Sequence, residues 1–332
     1  MDSSTPVSTD GTPADAANSD SPHQHRFTQW ILMAAAALSY ALFFHVAELA
    51  SIPAHRGYEG SLLRQPSTGG AIGGILLAAV LFIGVSAVTT FLLRRYWAYA
   101  GVMAASAGLF AWSFRGGPMR YVLLAPDAAN ASNRVFFALA IELLLLGAVV
   151  ATTWLIVLPR FIGKREPGAP LIEKPDSGIL QAVGVQVVVI GLLATLLIPS
   201  GEKKQALFGI LFASFVATAI CQHYFHDERL AKWYWAGPIV LGILGYILNA
   251  FTGDPHSATE TGRLSGTFAA LARPLPLDYA SAGVLGALLG YWIGSEHPGV
   301  LEASLMGGYA GALIKIKHNK SKRDAQENAQ RQ

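Results

Sequence analysis

Charge is what this sequence has least of. Only 14% of its 332 residues are Asp, Glu, Lys or Arg, against about 25% in soluble domains. A water-soluble fold of this size could not cover its surface with so few. There is one cysteine, Cys221, which excludes an intramolecular disulfide and any dithiol relay. The net charge is only +3, with the basic residues in loops and at the C-terminal end, so no nucleic-acid partner is expected. No Gly-x-x-x-x-Gly-Lys phosphate loop occurs, nor a Gly-x-Ser-x-Gly turn with a mid-span histidine. Of nine histidines, His23, His25 and His318 sit in the tails. That leaves too few for a membrane diiron centre. Only His45 and His223 approach a span, each near its end, which argues against a haem-binding core. No cofactor is expected, and no pair of groups matches a reaction.

What is present is apolar residues, 52% of the chain, with a mean hydropathy of +0.41. A membrane-spanning helix needs about 20 apolar residues. Seven segments approach that length: 27–48, 69–92, 97–114, 135–158, 178–199, 204–223 and 233–251. Trp30, Trp97, Trp112, Trp154, Trp233 and Trp235 lie towards their ends, as in the aromatic belts of membrane proteins. The fold class is therefore all-α: a polytopic transmembrane helical bundle of seven clear spans plus a C-terminal glycine-rich short helical hairpin, about eight crossings in all.

The organisation follows from composition. Residues 1–26 carry Asp2, Asp10, Asp15 and Asp20 among Ser, Thr, Pro and Ala, an acidic disordered tail opposite in sign to the start of a signal peptide. The first apolar segment is thus expected to remain as an anchor. Residues 27–251 form the seven-span bundle. Residues 252–280 form a loop in which Leu264, Phe268 and Leu271 recur at helical spacing, as an interfacial helix would require. Residues 281–314 form the hairpin, its halves 281–294 and 299–314 separated by Pro298. Small residues fall at every fourth position, Gly286, Gly290 and Gly294 in one half and Ala303, Gly307 and Gly311 in the other. This glycine-zipper spacing lets backbones approach closely. Residues 315–332 are a basic disordered tail.

Lysine and arginine counts on the two sides of seven spans tie. Lys315, Lys317, Lys320, Lys322 and Arg323, following the last apolar run, break the tie and place the C-terminus in the cytoplasm. The expected location is the plasma (inner) membrane.

Ionisable residues inside a bilayer are costly, so each is a candidate site. Glu142, in Ala-Ile-Glu-Leu-Leu-Leu-Leu, is the clearest, with His45, Gln181, Gln186 and Asn249 as candidate partners. His45 and Glu48 share a helix face near the end of the first span. His223 and His226 share another beside Cys221 and Asp227, a weak metal pattern without a second His-x-x-His, so no metal site is assigned. Two functions follow. One is a non-catalytic membrane subunit or scaffold packing through small-residue helix faces, with lipid, a second copy or other membrane subunits as partners. The alternative is a transporter or channel using Glu142, with His45 and Glu48, as an intramembrane proton or cation site.

Overall fold

The computed structural model describes residues 22–50, 61–63, 68–93, 99–124, 132–159, 175–225, 227–252 and 269–296. All regular structure among them is helical. The helices are α1 (Pro22–Ala50), α2 (Thr68–Leu93), α3 (Ala100–Arg115), a single short turn α4 (Met119–Leu124), α5 (Ser132–Thr152), α6 (Ser177–Leu197), α7 (Lys203–Phe225) and α8 (Ala236–Thr252). The last, α9, runs without interruption over 276–296. A first turn, Pro276–Asp278, leads through a π-helical turn, Tyr279–Gly283, into Val284–Glu296. A similar π-helical turn, Thr153–Val157, extends α5.

Among the described residues five helices are long and apolar enough to cross a membrane: Gln29–Ala47, Gly70–Leu93, Arg134–Val157, Ser177–Leu197 and Lys203–Phe225. The other two expected spans are shorter. The third is the 16-residue α3 and the seventh the 17-residue α8. The start of the last apolar stretch also needs correcting. It was expected at residue 281, but the helix begins five residues earlier, because Pro276 stands at its first position and Asp278 caps it. At 1.5 Å per residue α9 is roughly 30 Å long, not a half-length arm.

Local signals set the remaining ends. The Asp176 carboxylate accepts from the Ile179 N–H at 2.9 Å and caps α6. Leu271 lies in a 3-10 turn, Ala270–Ala272. Leu264, Phe268, the 299–314 arm with Ala303, Gly307 and Gly311, residues 1–21 and the basic tail fall outside the described residues; the expected disordered tail of 1–26 is cut short, because α1 already begins at Pro22.

Packing is organised around α9, whose residues from Tyr279 to Ala282 and Val284 are fully buried. α9 lies along α7 in the same direction. α1 and α3 also run in parallel: Phe43 meets Trp112 edge-on at 6.4 Å, and Arg115 lies over Phe44. α5 and α8 are antiparallel, with Phe137 against Phe251 at one end and Gly147 against Ile239 further along. By contrast, α2 and α6 turn rows of large apolar side chains outward, among them Leu76, Val80, Val88 and Leu92 on α2 and Leu180, Val188, Leu192 and Leu196 on α6. The tryptophans depart from a simple belt. Trp30 is exposed, but Trp112, Trp154 and Trp235 are core residues, and Trp154 stacks on Tyr99 at 5.1 Å.

Candidate functional site

Glu142 sits in the interior of α5 and is fully buried. Its partners come from the chain between α1 and α2. One carboxylate oxygen accepts from the Ser61 hydroxyl at 2.5 Å and the Leu63 N–H at 3.1 Å. The other accepts from the Leu62 N–H at 3.0 Å. Ser61 and Leu62 are themselves buried, and a Cβ added at Gly74, in the second turn of α2, would stand 3.5 Å from the Leu62 side chain. Residues 61–63 therefore reach in against the middle of α5. Non-helical backbone survives at such depth only when its polar groups are satisfied by protein, and Glu142 satisfies two of these N–H groups. This differs from the partners expected from sequence. Gln186 bonds elsewhere, and Asn249, though only 2% exposed, has neither amide atom hydrogen-bonded.

A second buried acid, Asp278 in the first turn of α9, escaped the sequence reading because it fell within an expected loop. Its Oδ1 meets the Lys203 ammonium at 2.5 Å and accepts from the Ser113 hydroxyl. Its Oδ2 accepts from the Leu275 N–H at 2.8 Å. Lys203 also donates to Ser113 Oγ at 3.1 Å. The pair is sealed, with side-chain exposures of 11% for Lys203 and 1% for Asp278. It ties together the end of α3, the start of α7 and the start of α9. The signal that could have found it was Pro276-Leu277-Asp278, a proline followed two residues later by an acid ahead of an apolar run, which marks a helix start.

The segment preceding α9 is strapped down from several directions. The Tyr246 hydroxyl donates to the Pro274 carbonyl at 2.5 Å, and the Tyr279 hydroxyl to the Leu271 carbonyl at 2.8 Å. The two rings meet edge-on at 6.1 Å. The Arg273 guanidinium donates to the Ile198 carbonyl, and its partial burial lowers its pKa from the usual arginine value.

Towards the other end of the bundle, Gln186 of α6 donates to Thr218 Oγ1 at 2.7 Å and to the Tyr234 carbonyl at 2.9 Å. Burial raises the pKa of the Tyr234 phenol, whose hydroxyl donates to Gln222 at 3.3 Å. Near them at the surface, the Arg229 side chain hydrogen-bonds Asp227 and holds its carboxyl below the ordinary range.

The remaining candidates are described only in part. His45 is exposed on α1 beside Phe44, and the side chain of Glu48 is outside the described set. His223 is half-buried against Tyr224, and His226 is not described. Cys221 is buried, with its sulfur 3.8 Å from the Ala182 carbonyl. Among the described residues no three His, Cys, Asp or Glu lie together as metal ligands would.

The glycine stripe of α9 faces α7. A Cβ at Gly286 would fall on the Leu211 carbonyl, one at Gly290 on the Phe215 carbonyl, and one at Gly294 3.1 Å from Gln222. The first half of the expected hairpin thus has its small-residue face covered by an earlier helix.

Among the described residues these features define a helical bundle, with five helices long and apolar enough to cross a bilayer, in which the buried carboxylates Glu142 and Asp278 are each bound to neighbouring elements. No family pattern, curated protein or solved structure matches the chain at a significant level.

Proposed function

We propose that the chain is a polytopic integral membrane protein of the plasma (inner) membrane that acts as a non-catalytic subunit or scaffold. In this reading α1, α2, α3, α5, α6, α7, α8 and α9 make eight crossings. The N-terminus and residue 296 share one side of the membrane, and the basic tail makes that side cytoplasmic. Support for the crossings comes from the outward apolar rows of α2 and α6, which water would not tolerate and lipid would.

The observation that carries the functional reading is the environment of Glu142. A carboxylate that serves a passing proton or cation needs access to a hydrated route. Here the side chain is fully buried, and among the described residues its oxygens accept from Ser61, Leu62 and Leu63. That arrangement suits an anchor for the loop.

The test is reconstitution of the full chain in sealed vesicles with a proton- or cation-sensitive dye. Wild type and Glu142→Gln should both match protein-free vesicles in flux, while the variant melts at a lower temperature. Flux above that background in wild type, lost in a variant with an unchanged melting temperature, would overturn the reading in favour of a permeation pathway.

A further inference from the structure

The outward edge between α3 and α7 carries a feature that the buried acids do not use. Lys204 stands in the first turn of α7. At four-residue spacing along the same face come Phe208 and Phe212, 51% and 52% exposed. The Lys204 ammonium lies 6.0 Å from the centre of the Phe114 ring. Phe114 stacks with Phe110 at 6.5 Å, and Phe110 meets Phe208 edge-on at 5.7 Å. α3 then ends at the exposed Arg115, whose guanidinium sits 4.6 Å over Phe44. Lys204 therefore crowns a strip formed by Phe114, Phe110 and Phe208, while Arg115 faces α1.

Among the described residues, the carboxylates nearby are engaged. Glu202 pairs with Arg120 at 2.8 Å and Asp278 with Lys203. Lys204 makes no ion pair among the described residues. Phe208 and Phe212 lie one and two turns beyond it, about 6 and 12 Å along the axis. A cation at the helix end with bare rings at those depths complements an amphiphile that has an anionic head and an apolar tail. Free phosphate would meet the cation and leave the rings uncovered.

We propose that this strip seats an anionic phospholipid, its phosphate at Lys204 and an acyl chain over Phe208 and Phe212. The inference rests on the membrane reading above. Attraction between a basic side chain and an acidic headgroup at the interface supplies the selectivity, and the rings supply contact area that any lipid chain would share.

The experiment takes the full chain, reconstituted in bilayers of equal phosphatidylglycerol and phosphatidylcholine, extracts it in mild detergent, and counts retained lipid by native mass spectrometry. Wild type should carry phosphatidylglycerol in several-fold excess. Lys204→Glu should bring the two lipids to parity, and Lys204→Arg should keep the excess. Raising the salt to about 1 M, where the screening length is about 3 Å, should lower the wild-type excess without any mutation. Parity in wild type, or an excess unchanged in a Lys204→Glu protein that elutes normally, would overturn the proposal. So would displacement of the lipid by millimolar inorganic phosphate. A chain that stays soluble and monodisperse without detergent would instead remove the membrane reading itself.

Discussion

Two buried polar side chains, Glu142 and Asn249, show how differently one kind of residue can be used. Among the described residues Glu142 accepts from Ser61, Leu62 and Leu63, whereas the Asn249 side-chain amide makes no hydrogen bond. In Glu142→Gln one oxygen becomes an NH₂ group and is turned towards another donor. We expect the fold to lose about 1–3 kcal/mol, the usual cost of leaving buried hydrogen-bonding groups unsatisfied, read as a lowered melting temperature in detergent. Asn249→Leu should act in the opposite direction. It removes an amide whose burial is uncompensated, and we expect a melting temperature equal to or above wild type. A clear drop would mean that Asn249 has a partner in the native membrane. Glu142 itself was legible in the sequence, since a lone carboxylate in an aliphatic run has to be explained. Its partners were not. Ser61 is 81 residues away and lies in a segment with no helical periodicity, so nothing local to either residue announces the contact.

At the scale of elements, glycines at similar spacing divide by what they face. Gly286 and Gly290 bring α9 against the α7 carbonyls, and any side chain there must push backbone apart. Gly286→Ala and Gly290→Ala should each cost about 1–3 kcal/mol, as overpacking does. Gly73 and Gly84 of α2 have nothing within 4 Å of an added Cβ. Their alanine variants should be neutral or stabilising by up to about 1 kcal/mol through helix propensity. Thermal unfolding of the four single variants separates the classes; equal effects would contradict the packing. The sequence showed that α9 has a close-packing face but not which helix fills it. Small-residue spacing specifies an approach distance and carries no address. Proximity in the chain suggested residues 299–314, whereas α7 occupies the face through a contact 75 residues distant, marked by Lys203 and Asp278. The early start of α9 is hidden in the sequence for a related reason: Asp278 is polar, and the cation that lets it be buried, Lys203, lies 75 residues away.

For the whole molecule, the Lys203–Asp278 pair pins α3, α7 and α9 at one end. Removing one partner, by Lys203→Met or Asp278→Leu, should destabilise by about 3–5 kcal/mol, because the other charge is left buried alone. The double variant should recover much of that loss, since a paired substitution strands no charge. A double variant as unstable as the sum of the singles would show that the pair is not coupled. Topology can be tested across the same bundle. Asp176 lies before α6 and Glu202 after it, both outside the helix and both exposed. Cysteines placed there should react with an impermeant maleimide from opposite sides of sealed vesicles, with buried Cys221 contributing little background. Labelling of both from one side would remove α6 as a crossing, and the eight-crossing arrangement with it.

The parallel docking of α9 on α7 also imposes an order of events during synthesis. The ammonium of Lys203 emerges from the ribosome 75 residues before the carboxylate that neutralises it, an interval of about 4–15 s at ordinary translation rates. Through that time α7 waits in the nascent chain with its glycine-accepting flank bare and its cation unmatched. The α7–α9 contact therefore closes only after the penultimate apolar stretch has been made.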